Sequence, residues 1–157
     1  MRKVAALLLA VLGGVGASPT PAPTSPPMAS ITIVAPKATL HLQVARTESE
    51  REMGLMYRAA LPVHTGMLFV FPHDAPIEFW MKNTLIPLDM IFIAADGRVR
   101  SIAANVPATK RNTPDAAIPR RDGEAEYVIE LPANEAASDG ITPGLPLPIK
   151  VPPEPLQ

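Results

Sequence analysis

The sequence predicts a mostly-β domain, a compact β-sandwich or barrel carrying one or two short helices. Three observations predict it. Short runs of β-forming residues with period-two alternation recur along the chain. Only two short stretches read as helix, one opened by a capping box and the other barely two turns long. An Asp-Gly pair, Asp96-Gly97, sits between two β-prone runs, where both residues tolerate the positive φ of a tight hairpin.

Taken in order, Ile31 to Val34 is a first short strand. In Thr39 to Val44 the residues Leu40, Leu42 and Val44 share one face, and His41 and Gln43 share the solvated one. Thr47 and Glu50 have capping-box spacing, with Gly54 as the stop, so a helix is expected over about 48–53. Gly66 to Phe71 is nearly all apolar and reads as a central strand that Pro72 ends. His73 to Pro76 is expected as a turn and Ile77 to Met81 as the next strand. Leu88 to Ile93 and Val99 to Ile102 flank the Asp-Gly hairpin. Residues 105–124 are expected as a long loop with a short strand near Ile118. Glu126 to Leu131 alternates as a strand, Ala133 to Ser138 is a minimal helix, and Leu145 to Ile149 is a last edge strand. The count is seven or eight short strands, too few helices to cover a parallel sheet, and no internal repeat.

The start of the chain has a different character. Arg2 and Lys3 precede an apolar run from Val4 to Val15, and small residues lead to Ala17. This is the pattern of a secretory signal peptide over residues 1–17. The run falls short of the roughly 20 residues that span a bilayer, so no membrane-spanning segment is expected after cleavage. Residues 18–30 form a Pro-rich linker, and residues 31–157 a single domain. The expected location is outside the cytoplasm, periplasmic or secreted.

The chain carries 14 Lys and Arg against 15 Asp and Glu, and losing Arg2 and Lys3 makes it more acidic. That balance argues against nucleic acid as a partner, whose backbone selects clustered basic residues. With no cysteine, disulfides, thiolate nucleophiles and Cys-based metal sites are excluded.

Several segments then resemble a known family. They are Gly54-Leu55-Met56-Tyr57-Arg58, Gly66 to Phe71, Phe79-Trp80-Met81-Lys82-Asn83-Thr84 running into Pro87-Leu88-Asp89, and Glu130-Leu131-Pro132-Ala133 with Gly140-Ile141. In their order and spacing the chain resembles DUF192, a family of commonly exported bacterial proteins without an established activity. The resemblance implies a compact, mostly-β fold with jelly-roll-like strands. The chain departs from the pattern at Asn134, where glycine is usual, and at Leu145, where an acid usually follows Gly144. Asn tolerates the left-handed region, so the first departure is compatible with the same turn.

The densest polar signal is Trp80-Met81-Lys82-Asn83-Thr84 followed by Asp89, set between apolar runs. Asp89 inside an apolar strand needs a partner, and Lys82 is the expected one. A binding pocket is therefore placed at Trp80, Lys82, Asn83, Thr84 and Asp89, with Arg58 beside it. The three histidines, His41, His64 and His73, include no i,i+4 pair, so neither metal nor cofactor is expected. No serine has a Gly-x-Ser-x-Gly context. Two functions stay open: a non-catalytic extracytoplasmic domain binding a small molecule or an envelope protein, and a small hydrolase or lyase using Lys82, Asp89 and His73.

Overall fold

A computed structural model describes residues 28–153. The expected signal peptide and most of the Pro-rich linker lie outside these residues. The described chain is mostly β, with β1 (Ser30–Val34), β2 (Thr39–Ala45), β3 (Thr65–Trp80), β4 (Leu88–Ile93), β5 (Val99–Val106) and β6 (Arg120–Pro132). Two short α-helices, α1 (Glu48–Met53) and α2 (Glu135–Ser138), and a 3₁₀ turn at Asp115–Ala117 complete it. The strands form one six-stranded sheet in the order β1-β2-β3-β6-β4-β5. Only β2 and β3 pair in parallel; the other pairs are antiparallel.

The strands make this single mixed sheet with two edges, β1 and β5, rather than a closed barrel, and the sandwich-like alternative fits it. The strand count also falls, in part because one expected break is absent. β3 runs 16 residues, straight through Pro72 and Pro76. Pro72 lies where the β3–β6 register shifts between Val70 and Ala75, and a bulge tolerates a missing N–H. Beyond the bulge, Ala75 to Trp80 and Arg120 to Ala125 pair with each other as a two-stranded arm.

The arm doubles back over the sheet. The ring of Phe79 lies 4.9 Å from that of Phe69 on the same strand and 6.0 Å from Phe92 on β4. Gly123 rests on Phe92, where a Cβ would come within 2.2 Å of the ring. A sandwich-like second layer is thus made by the sheet itself.

Period-two alternation gives the sheet two buried faces. On one face Leu68, Ile91, Ile93, Ile129 and Leu131 are covered by Ala136, Ile141 and Leu147. On the other, Met67, Phe69, Met90, Phe92 and Val128 are covered by Leu55, Phe79, Met81 and Ile118. β4 is buried at all six positions, as a central strand requires.

Other expectations divide similarly. The Asp96-Gly97 hairpin forms, with Gly97 at φ 83°. The capping box forms, Thr47 Oγ1 accepting from Glu50 N and Glu50 Oε2 accepting from Thr47 N. The backbone N–H groups of Thr47 and Arg46, both donating to Glu50 Oε2, hold its carboxyl below its ordinary range. Asn134 takes φ 72°, so it fills the turn as glycine would. Two expected strands fail. The segment near Ile118 is a 3₁₀ turn, and Leu145 to Ile149 contributes one isolated bridge, Arg98 to Pro146. Pro146 and Pro148 cannot donate to a ladder. No described helix is long and apolar enough to cross a membrane.

Candidate functional site

The residues singled out around Trp80 do not act as one group. Asp89 is 1 % exposed, and its partner is not Lys82. Its Oδ1 accepts from Asn105 N at 2.8 Å and its Oδ2 from Ala136 N at 3.0 Å. It fastens the end of β5 and the first turn of α2 to β4. Lys82 turns instead to Asp115, 3.7 Å away, and its Nζ lies 4.7 Å from the centre of the Trp80 ring. The expected Lys82–Asp89 pair is thereby corrected. Two backbone amides satisfy a buried carboxylate without the cost of desolvating a lysine.

Asn83, at φ 51°, donates to Tyr57 Oη at 2.8 Å, and its carbonyl accepts from Tyr57 N at 2.9 Å. It ties the chain after α1 to the end of the β3 arm. Arg58 donates to Gln43 Oε1 on β2. His73 is exposed on β3. Lys82 and Asp89 thus serve separate partners.

What these segments do build is a cavity of about 30 Å³ between α1, the β3 arm and the sheet. Its wall includes Gly54, Leu55, Met56, Phe69, Phe79, Trp80, Thr84 and Glu130. Every one of these eight lies in a segment that carries the family resemblance. Of the sequence-derived site residues, Trp80 and Thr84 line this cavity, and Arg58, Lys82, Asn83 and Asp89 do not.

The local chemistry explains the wall. The capping box starts α1 and Gly54, at φ 44°, ends it. A Cβ on Gly54 would lie 3.3 Å from the Phe69 ring, so the helix end closes directly on that ring. Gly66 presses on the backbone of Glu130, where a Cβ would come within 2.0 Å of the carbonyl oxygen. Thr84, buried, donates to the carbonyl of Lys82 at 3.1 Å and turns the chain out of the arm.

Glu130 is the residue that sequence reasoning missed. It lies in the middle of the sheet, opposite Met67 on β3 and Met90 on β4, and is 5 % exposed. Its carboxyl has no ion-pair partner among the described residues. Burial alone pushes it up to about 8. At neutral pH it is a protonated acid, able to donate one hydrogen bond and accept others. A signal was available: Glu130 shares its strand face with Val128, which is buried.

The cavity adjoins an open groove of about 370 Å³, within the range of small-molecule sites. The two share Arg51, Glu52, Phe69, Phe79 and Trp80. Phe71 and Ile77 extend the apolar wall, and Glu48, Glu52 and Glu78 stand along the groove. Arg51 lies over the Phe71 ring at 5.2 Å and donates to the Val70 carbonyl at 3.1 Å. Arg120 pairs with Glu78 and lies 5.5 Å from the Trp80 ring centre.

Comparison with known proteins agrees with this fold. Residues 31–149 match the family model DUF192, described as "Uncharacterized ACR". A solved structure from Sinorhizobium meliloti 1021, described as a candidate transcription regulator, is 37 % identical with a TM-score of 0.68. That match covers 79 % of this chain and 96 % of the other. A protein of unknown function from Novosphingobium aromaticivorans DSM 12444 is 32 % identical with a TM-score of 0.64, covering 84 % of this chain and 93 % of its own. No curated protein matches the chain.

Proposed function

The chain belongs to the DUF192 family, and from that premise we propose that it is a non-catalytic domain whose aromatic groove binds a small molecule. The ligand lays an apolar body against Phe71 and Trp80 and directs a polar end towards the Glu130 carboxyl. The observation that carries this reading is Glu130 itself, buried at the sheet centre beside a cavity and raised to about 8. A buried carboxyl without a protein partner is costly to keep, and strongly perturbed carboxyls cluster at functional sites. A protonated carboxyl beside an aromatic wall provides orientation and apolar contact together. Export is part of the proposal: the basic tip, short apolar run and small residues before Ser18 support a mature protein in the periplasm or outside the cell.

The hydrolase or lyase alternative loses its motive in the geometry. Asp89 is committed to two amides and Lys82 to Asp115 and Trp80. The name carried by the Sinorhizobium protein belongs to that protein. The near-neutral net charge of this chain gives no support for a nucleic-acid partner.

Native purification followed by mass spectrometry of what co-purifies tests the reading. The wild type should retain a small molecule. Trp80→Ala and Glu130→Gln should each lose most of it while keeping a native circular dichroism spectrum. A wild type that carries nothing small, or variants that retain as much as it does, would contradict the groove as a site. N-terminal sequencing of the exported product tests the leader, with Ser18 as the expected first residue.

A further inference from the structure

On the face of the sheet away from Glu130, folding brings three metal-ligating side chains together from distant parts of the sequence. His64 precedes β3, Glu135 opens α2, and Asp139 follows α2. The two acids are four residues apart, so the helical turn presents them on one side. The potential ligand atoms of all three lie within 4.8 Å of one another. His64 Nδ1 is 3.1 Å from Asp139 Oδ1 and 3.2 Å from Oδ2. A tetrahedral ion with bonds of about 2.0–2.1 Å holds its ligand atoms roughly 3.4 Å apart, so this spacing already fits.

The surroundings point the same way. Asp139 is 2 % and Glu135 8 % exposed, and Asp89 stands behind them under α2. Glu135 Oε2 accepts from His64 N at 2.9 Å; its other oxygen has no partner among the described residues. That carboxylate oxygen therefore remains uncommitted in a residue that is mostly buried. One half-exposed imidazole meets two buried acids. Lys37 packs its stem near Gly140 but makes no ion pair with the group among the described residues.

We propose that His64, Glu135 and Asp139 form a binding site for a divalent transition-metal ion of the zinc class, leaving a coordination position open to water. The imidazole selects this class, since calcium prefers six to eight oxygens. The half-exposed side of His64 gives the ion its entry path. The backbone is set for the role: His64 takes φ 58°, and its carbonyl accepts from His41 N at 2.8 Å. No i,i+4 histidine pair announces such a site in the sequence, because its third ligand arrives only through the fold. The site is separate from the aromatic groove, and the two readings stand or fall independently.

The test is calorimetric titration of the full chain, free of any polyhistidine tag and stripped with chelator, using Zn²⁺ and then Ca²⁺ as probes. The wild type should bind one Zn²⁺ per chain and Ca²⁺ far more weakly. His64→Ala, Asp139→Asn and Glu135→Gln should each loosen Zn²⁺ by more than about tenfold. His41→Ala and His73→Ala, lying outside the cluster, should bind as the wild type does. If His64→Ala does not fold, the two isosteric amide variants carry the comparison. Absence of one-to-one Zn²⁺ binding in the wild type, binding unchanged in the amide variants, or stronger binding of Ca²⁺ than of Zn²⁺ overturns the proposal.

Discussion

Two buried carboxyl groups stand one step apart on neighbouring central strands and have opposite fates. Asp89 on β4 pairs with Leu131, and the next pair along joins Met90 to Glu130 on β6. The alternation of strands sends the two side chains to opposite faces. Their exposures are nearly equal, 1 % and 5 %. Asp89 meets two backbone donors, from Asn105 and Ala136. Glu130 meets a cavity instead. Burial alone therefore does not say what a carboxylate is for. The donors aimed at it do: with them it is a fastener, and without them it is a group held ready for something else.

The largest expected effect comes from making the same isosteric change at both positions. Asp89→Asn replaces an acceptor by an NH₂ that faces a backbone N–H, and should cost on the order of 2–4 kcal/mol in denaturant unfolding. Glu130→Gln replaces a protonated acid by a neutral isostere that the unfolded chain cannot ionise, and at pH 6 should cost nothing and raise stability by roughly 2 kcal/mol. Equal costs at the two positions would break the comparison.

The second effect is the pH dependence of stability. The folded state keeps a proton on Glu130 that the unfolded chain has released, since the carboxyl is raised to about 8. Its contribution is complete below the ordinary carboxyl range and is lost as pH rises towards about 8. Glu135 is raised too and acts in the same direction, so the difference between wild type and Glu130→Gln is what isolates Glu130. That difference should grow on the order of 3–5 kcal/mol in favour of the variant between about pH 5 and pH 8. A difference that stays constant across this window would mean that Glu130 is ionised in the native protein.

Much of the local structure was legible, because its causes are local. The alternation of Leu40, Leu42 and Val44, the Thr47–Glu50 box and the Asp96-Gly97 turn each act within a few residues, and each forms. The long arm of β3 was not legible. Pro72 reads as a strand end, and only the shifted partner strand shows that a bulge absorbs it. The candidate site follows the same division. The Trp80 block was visible as polar residues interrupting apolar ones, and Trp80 and Thr84 do line the cavity. The need of Asp89 for a partner was also visible, but its actual partners, Asn105 N and Ala136 N, are brought to it only by the fold. Glu130 read only as one residue of an alternating strand. It is buried because the chain around α1 and the β3 arm cover a face that one strand's pattern cannot show to be covered.

The smallest effect sharpens the reassignment of Lys82. Its pair with Asp115 is exposed on both sides, so Lys82→Met should cost less than about 1 kcal/mol. Combined with Asp89→Asn, the costs should add to within roughly 0.5 kcal/mol, as they do for residues without a shared partner. A coupling larger than that would restore the Lys82–Asp89 pair.

The account rests most heavily on Glu130 being an unpaired acid that stays protonated at neutral pH. Carbon-13 NMR of the glutamate side-chain carboxyls, followed against pH and assigned by the signal missing from Glu130→Gln, reads this directly. The predicted result is a single carboxyl titrating near 8, well separated from the other glutamates. A Glu130 signal that titrates in the ordinary carboxyl range, near 4.5, would contradict it.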